Sequence, residues 1–138
     1  MSEEESLIPA EWYALAERDL GACKVLLKAE DIFLPVAGAL LQQAVEKYLK
    51  GYLISKGWAL RHIHHLDRLL ADLIKYESDF AEFTAACVKI SEYYTEQRYS
   101  LRSSSKLIRA EVEQSLTEAE TLITRIKGRP SPSPESQV

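Results

Sequence analysis

The 138-residue sequence predicts an all-α protein, an antiparallel bundle of four to five helices. Apolar residues recur at spacings of three and four along five segments, which is the pattern of helices that bury one face. No segment of useful length alternates polar and apolar residues as a strand would. In addition, none of the five prolines falls inside one of these helical patterns, where it would break the helix.

The first predicted helix covers residues 9–29 and has Pro9 at its first position, a favoured place for proline. The second opens at Pro35 and ends before Gly57, a residue type common just past helix ends. This second helix is apolar over most of its circumference, so we expect it at the centre of the bundle. Its exception is a narrow polar stripe of Gln43, Glu46, Lys47 and Lys50.

A short third helix is predicted at residues 65–76, after a loop at 58–64. Ser78 or Asp79 is the expected cap of a fourth helix, which runs to about Thr95. The apolar stripe of this fourth helix consists of Phe80, Phe83, Ala86, Cys87, Ile90 and Tyr94.

The last predicted helix has its caps among Ser103–Ser105 and ends at Gly128. We therefore divide the chain into an acidic arm at 1–8, a helical bundle at 9–128 and a disordered Pro/Ser-rich tail at 129–138. The length suits a single domain.

Several features favour a cytoplasmic location. The acidic N-terminus lacks a signal peptide pattern, and no apolar run reaches the ~20 residues of a membrane span. The two cysteines, Cys23 and Cys87, lie in apolar helical patterns and are expected to be small buried residues rather than a disulfide framework.

Charge is unevenly distributed along the chain. The net charge is −4, which is unusual for a binder of long nucleic acids. However, residues 47–68 hold five Lys or Arg against one Asp, and residues 98–109 hold four Lys or Arg and no acid. Two basic segments in an acidic chain predict a small, polar, net-basic site for a compact anion.

The polar stripe of the second helix has two interpretations. As a solvated face it would hold one ordinary ion pair between Glu46 and Lys50, four residues apart. As part of a site, its polar groups would need partners, because polar groups on a central helix are rarely left without them.

The run from Arg61 to His65 holds all three histidines, His62, His64 and His65. A histidine can move protons near neutral pH or bind a metal. The spacing is poor for zinc, so no metal and no cofactor is expected. Alternatively, His64 or His65 caps the third helix.

Tyrosine and arginine are concentrated between Tyr93 and Arg102. Arginine grips phosphate with a planar fork of donors, and tyrosine can stack on bases. The simpler interpretation is a helix end at which arginine offsets the macrodipole. The sequence has no phosphate-binding glycine loop, Gly-x-Ser-x-Gly or His-Glu-x-x-His motif. If the chain is an enzyme, it therefore uses acid–base groups in a cleft without a dedicated metal.

Taken in order, these motifs resemble the HEPN family of prokaryotic helical bundles over about residues 10–127. The match includes Asp19-Leu20 in the first helix, His64-x-Leu66 and Arg98-Tyr99. Its most specific block is Leu41-Gln42-Gln43-Ala44-Val45-Glu46-Lys47-Tyr48-Leu49-Lys50.

The resemblance implies a homodimer with a polar cleft at or near its interface. Many HEPN proteins pair with a minimal nucleotidyltransferase as toxin–antitoxin modules, and others are metal-independent endoribonucleases. The recurrent polar positions of the family match Glu46, Lys50, His64, Arg98 and Tyr99. With such a partner, modification of Tyr99 is a further hypothesis.

One departure bears on activity. Ribonuclease members carry a histidine shortly after the arginine, whereas no histidine follows Arg98 here. We therefore expect a HEPN-type module that binds a nucleotide or short RNA, pairs with a nucleotidyltransferase and spans no membrane. Its expected ligand contacts are Gln43, Glu46, Lys47, Lys50, His64, Arg98, Tyr99 and Arg102.

Two alternatives remain. One is a metal-independent endoribonuclease in which Arg98 stabilises the transition state and His64 moves a proton. The other is a purely structural helical adaptor, which predicts that the stripe from Gln43 to Lys50 faces water.

Overall fold

A computed structural model describes the backbone of residues 6–98 and 107–129, together with the side chains of all of these except 95–98. Within these ranges the chain forms α-helices and two short 3-10 helices, and no strand. The α-helices are α1 (Pro9–Leu27), α2 (Leu34–Ser55), α3 (Leu66–Tyr76), α4 (Thr84–Arg98) and α5 (Arg109–Lys127). The 3-10 helices are Asp31–Phe33 and Ser78–Phe83. The predicted all-α bundle is confirmed.

Helix α2 lies at the centre of the bundle, as its apolar circumference predicts. It packs against α1, α3, α4 and α5. Its apolar residues, such as Leu41, Val45 and Leu49, are fully buried. Because α2 touches every other α-helix, a polar group on it can meet groups from several elements at once.

A close approach between α1 and α2 depends on Gly51. A Cβ atom at this position would lie 2.8 Å from Cε1 of Tyr13 and 3.0 Å from Cβ of Trp12. Such contacts are too short for carbon atoms, so only glycine lets the two helices pack this closely. The absence of a side chain at Gly51 therefore allows Trp12 to lie close against α2.

The fourth helix differs from its prediction in how it begins and in which tyrosine it buries. Neither Ser78 nor Asp79 caps it, because Ser78 begins the 3-10 helix and Glu77 precedes that helix without a side-chain cap. The buried tyrosine is Tyr93, whose hydroxyl lies 2.8 Å from that of Ser115 on α5, whereas Tyr94 is partly exposed. Tyr93 and Tyr94 lie three and four residues after Ile90, and both spacings fit one helical face. The pattern therefore did not distinguish them, and the prediction of Tyr94 as a core residue was wrong.

The last helix begins at Arg109, and its N-cap residue Ile108 makes no side-chain cap. The serines expected as caps, Ser103–Ser105, lie outside the described residues. The guanidinium of Arg109 instead donates to the carbonyls of Leu27 and Ala29 and pairs with Asp31. These bonds tie the beginning of α5 to the connection between α1 and α2.

Both ends of the described chain are bonded to the bundle. The carbonyl of Ser6 accepts a hydrogen bond from Nε1 of Trp12 at 2.8 Å, and Ser6 is buried. At the other end, Arg129 pairs with Asp79 and Glu77. The predicted tail beyond Arg129 lies outside the described residues. No described helix combines the length and apolar character required to cross a membrane.

The two cysteines are buried and free, as predicted. Burial raises the pKa of Cys23 to about 11 and that of Cys87 to about 12. Both groups are therefore thiols at neutral pH and serve as packing residues.

Candidate functional site

A polar cleft of about 220 Å³ opens between α1, α2, the segment before α3, and α4. We call it the Glu46 cleft. Helix α2 contributes most of its lining, α1 and α4 contribute one aromatic residue each, and the segment before α3 contributes a histidine. The lining residues are Trp12, Gln42, Gln43, Glu46, Lys47, Lys50, His64 and Tyr94.

Glu46 is the centre of a hydrogen-bond network in this cleft. Its Oε2 accepts from Nζ of Lys50 at 2.9 Å and lies 3.0 Å from Nδ1 of His64. Its Oε1 accepts from Nε2 of Gln42 at 2.9 Å. An ionised carboxylate only accepts, so the contact with His64 requires the proton on Nδ1. The second ring nitrogen, Nε2, then points away from this bond.

The backbone before α3 is also attached to α2 and α4. Nε2 of Gln42 donates a second bond, at 3.0 Å, to the carbonyl of His64. The amide of Leu66 donates to Oγ of Ser91 on α4 at 2.8 Å. These two bonds hold the backbone on both sides of His65, so the orientation of His64 is fixed by both its side chain and its main chain.

A second buried ion pair joins α1 and α2. Nζ of Lys47 lies 2.5 Å from Oδ2 of Asp19, and both side chains are nearly inaccessible to water. Removing either partner of a buried pair would leave an uncompensated charge. The pair therefore fixes Lys47 at one side of the cleft.

Lys50 also contacts an aromatic ring. Its Nζ lies 5.7 Å from the ring centre of Trp12, within the range of a cation–π interaction. The indole N–H of Trp12 is itself bonded to Ser6. The cation is therefore held by a carboxylate on its own helix and by an aromatic ring on α1.

The polar stripe does not face water. Glu46, Lys47 and Lys50 are 9%, 7% and 2% exposed, and Gln43 is half-buried. The alternative of a purely structural adaptor predicted that this stripe faces water, and that prediction is therefore wrong. The physical reason is that Asp19 and His64 come from other elements and cover the stripe with partners that the sequence of α2 does not contain.

The structure brings together five of the predicted site residues, Gln43, Glu46, Lys47, Lys50 and His64. Arg98 is the last residue of α4, one helical turn beyond Tyr94, but its side chain lies outside the described part. Tyr99 and Arg102 lie outside the described residues as well. The approach of His64 to Arg98 that the ribonuclease alternative requires therefore falls beyond what the structure describes.

Four residues of the site were not predicted as site residues: Trp12, Asp19, Gln42 and Tyr94. The signal for Asp19 was present, because it is an acid three residues after the buried Ala16, on the apolar face of α1. Gln42 precedes the predicted stripe, and its Oε1 is buried without a hydrogen-bond partner. A buried, unpaired acceptor next to a cleft is uncommon in folded proteins.

The charges in the described part of the cleft balance, so the net-basic site expected from the sequence depends on residues outside that part. Lys47 and Lys50 each lie within hydrogen-bonding distance of one carboxylate, that of Asp19 or Glu46. The counts of charges along the chain did not reveal this, because Asp19 is distant in sequence from Lys47, and Glu46 falls just before the counted segment 47–68. Excess positive charge in this cleft must come from His64 when protonated or from residues outside the described part.

The other two histidines are not part of the cleft. His65 occupies the N-cap position of α3 but makes no side-chain cap bond, and His62 is exposed. The capping interpretation of His64 is also wrong, because its ring is bonded to Glu46. Among the described side chains, no group of three His, Cys, Asp or Glu residues is arranged to hold a metal ion.

A comparison with known protein families identifies the domain type. The model of the HEPN domain matches residues 10–129, which include all of α2 to α5 and nearly all of α1. No match was found among curated proteins or among solved structures. The match covers most of the chain and confirms the resemblance to this family. The chain therefore belongs to the HEPN domain family.

Proposed function

We propose that this HEPN domain binds a nucleotide unit of short single-stranded RNA in the Glu46 cleft. The observation that carries the proposal is a histidine held by a buried carboxylate at the mouth of a polar cleft. The side chain of His64 is 55% exposed, whereas its partner Glu46 is almost fully buried. A ligand can therefore reach the ring of His64, while the carboxylate that holds this ring is largely shielded from solvent.

The chemistry of His64 suits a phosphate or a ribose hydroxyl. With Nδ1 directed at Glu46, Nε2 is left to contact a ligand. Nε2 accepts a hydrogen bond when the ring is neutral and donates one when the ring is protonated. The same group can therefore bind a ribose hydroxyl or a phosphate oxygen.

The two lysines act mainly as a framework for this contact. Each ammonium group donates to a buried carboxylate. We assign to Lys47 and Lys50 the role of fixing α1 and Glu46 and of supplying positive charge close to a bound phosphate. Gln43, half-buried in the same cleft, supplies a polar contact.

An aromatic contact comes from α4. Tyr94 lines the cleft and is partly exposed, which leaves part of its ring accessible for stacking on a base. The chain continues from Tyr94 through Arg98 to Tyr99 and Arg102. We propose that this segment contributes further stacking and phosphate contacts, since arginine binds phosphate through a planar fork.

The family also supports a proposal about partners. HEPN proteins often dimerise and many pair with a minimal nucleotidyltransferase, so we propose that the chain forms a homodimer and is the HEPN component of a toxin–antitoxin-like pair. The buried Glu46 network belongs to a single chain. In such a homodimer each protomer would present its own Glu46 cleft, at or near the dimer interface that the family resemblance implies.

RNA binding tests the proposal directly. A fluorescein-labelled single-stranded octamer is titrated with the wild type, His64→Ala and the matched control His62→Ala, and anisotropy is recorded. Loss of one hydrogen bond to a charged group should weaken binding about tenfold or more in His64→Ala. His62→Ala, in the same exposed segment, should bind like the wild type. No binding by the wild type, or equal binding by all three proteins, would contradict the proposal.

A second candidate function is supported by the same histidine. A carboxylate that fixes the tautomer of a histidine also prepares it to move a proton, as a metal-independent endoribonuclease requires. Arg98 would then stabilise the charged transition state. Cleavage of mixed single-stranded RNA in EDTA by the wild type and His62→Ala, but not by His64→Ala or Arg98→Ala, would establish this activity. Binding of RNA without cleavage would contradict the ribonuclease activity and support the binding function.

A further inference from the structure

A second cleft, of about 290 Å³, lies where α2 ends and α3 runs alongside the following loop. We call it the Trp58 cleft. It shares no lining residue with the Glu46 cleft and combines two aromatic rings with two cations and one acid. Its lining consists of Trp58, Ala59, Arg61, Asp72, Lys75 and Tyr76.

Trp58 is held firmly in this cleft. The positive φ of Gly57, +90°, turns the chain sharply at the end of α2, and the amide of Trp58 donates to the carbonyl of Leu53 at 3.1 Å. The indole Nε1 donates to Oδ2 of Asp72 at 2.9 Å. The ring is therefore fixed by α2 on one side and by α3 on the other.

The cations of this cleft are only loosely paired. Nη1 of Arg61 lies 3.8 Å from Asp72 and Nζ of Lys75 lies 3.6 Å from it, both beyond ordinary hydrogen-bond lengths. The two side chains are 60% and 77% exposed, so water competes strongly for these pairs. Both cations can therefore turn towards an anion that enters the cleft.

The combination of groups indicates the class of ligand. The two cations exceed the one acid, which favours a monoanionic group such as a phosphodiester. Tyr76 is 48% exposed at the end of α3 and offers its ring to a planar partner. An aromatic ring with an attached phosphate, that is, a nucleotide unit, uses both features.

We propose that the Trp58 cleft binds a second nucleotide unit of the single-stranded RNA whose first unit occupies the Glu46 cleft. This inference rests on the proposed function and extends it. The two clefts are joined by the segment from Trp58 to His64, whose six steps span at most about 22 Å. An octamer is long enough to reach both clefts.

The chain contains two tryptophans, one in each cleft, and this gives each cleft its own probe. The indole N–H resonances of Trp12 and Trp58 are recorded in the full-length protein labelled with nitrogen-15 and assigned with Trp12→Phe and Trp58→Phe. We expect both resonances to shift when the RNA octamer is added. A shift of Trp12 alone would overturn the second site and leave the proposed function intact.

The remaining outcomes are equally distinct. A shift of Trp58 alone would support a nucleotide site in the Trp58 cleft and contradict the proposed function of the Glu46 cleft. The absence of both shifts would overturn both proposals. With AMP in place of RNA, a shift of Trp58 equal to that caused by the octamer would show a site for free nucleotide and overturn the restriction to RNA.

Substitutions of exposed residues provide a second measurement. Arg61→Ala and Lys75→Ala should each weaken octamer binding several-fold and lower the slope of log affinity against log salt by about 1. Asp72→Asn keeps an acceptor for Trp58 but removes the negative charge, so it should tighten binding. Lys28→Ala, an exposed lysine at the end of α1, is the matched control. Unchanged affinity and salt slope in Arg61→Ala, Lys75→Ala and Asp72→Asn would overturn the proposal.

Discussion

The two clefts of this HEPN domain organise their charges in opposite ways. In the Glu46 cleft the ion pairs are short and buried: Lys50 lies 2.9 Å from Glu46 and its side chain is 3% exposed. In the Trp58 cleft the pairs are long and open to water: Lys75 lies 3.6 Å from Asp72 and is 77% exposed. Charges of the first kind are part of the folded structure, whereas charges of the second kind are available to a ligand.

This difference determines how each lysine can be studied. A substitution in the Glu46 cleft changes both folding and function, since it leaves a buried partner without its counter-charge. A substitution in the Trp58 cleft changes ligand binding with little effect on folding. Exposed groups, such as His64 in the first cleft and Arg61 in the second, can be altered with little effect on folding, whereas affinities of variants at buried groups such as Glu46 must be measured on protein shown to be folded.

The largest expected effect is on stability. Lys50→Ala should lower the free energy of unfolding by about 3 kcal/mol or more, because it leaves the buried carboxylate of Glu46 uncompensated. Urea denaturation followed by circular dichroism measures the change. The matched variant Lys75→Ala should stay within about 0.5 kcal/mol of the wild type. Equal losses in the two variants would show that the contrast between the clefts is false.

A smaller loss of stability is expected at the close contact between α1 and α2 around Gly51. In Gly51→Ala the new methyl group would contact Tyr13 and Trp12, so the free energy of unfolding should fall by about 1–3 kcal/mol. Gly21→Ala on α1 is the control, because a Cβ there meets nothing within 4 Å. There the helix propensity of alanine should stabilise the protein by up to about 1 kcal/mol. A change of the same sign in the free energy of unfolding of both variants would contradict a close helix contact at Gly51.

The helices of this fold were predictable from the sequence because their apolar spacing is a local property. The central position of α2 followed from its apolar circumference, and its end followed from Gly57. The errors were also local: the 3-10 helix at Ser78–Phe83 and the choice of Tyr94 instead of Tyr93 as the buried tyrosine. In the first case the same residues suit a 3-10 helix or the first turn of an α-helix, and in the second case either tyrosine suits the buried face.

The site was predictable only in part. The stripe on α2 was visible because its polar residues interrupt an apolar helix, and the family motif marked His64. Its partners were not predictable from spacing, since Asp19 and Lys47 are 28 residues apart and meet only after α1 packs on α2. For this reason the charge counts along the chain did not reveal that Lys47 is paired with a carboxylate.

The smallest effect concerns a bonded but exposed carboxylate between these two extremes. The hydroxyl of Tyr48 donates to Glu17 and lowers the pKa of Glu17, with a further contribution from Lys127. A lowered folded-state pKa stabilises the protein above the unfolded pKa, and this stabilisation is lost as the pH falls through the folded pKa. Because Glu17 is largely exposed, we expect less than about 1 kcal/mol.

Urea denaturation of the wild type and Glu17→Gln at pH 7 and pH 3 measures this contribution. The wild type should be slightly more stable at pH 7, and the difference should shrink at pH 3, below the usual pKa of about 4.3 for glutamate. The exposed Glu30→Gln serves as a control for the loss of a surface charge. A difference that grows on acidification would have the wrong sign.

The central claim is that Glu46 acts on the ligand through His64. A double-mutant cycle of Glu46→Gln and His64→Ala tests it, with the affinity for the RNA octamer measured for the folded wild type, both single variants and the double variant. If Glu46 orients His64, each single substitution weakens binding, and the double variant binds no more weakly than His64→Ala within about twofold. Losses that multiply in the double variant would show that the two residues act independently and would contradict the claim.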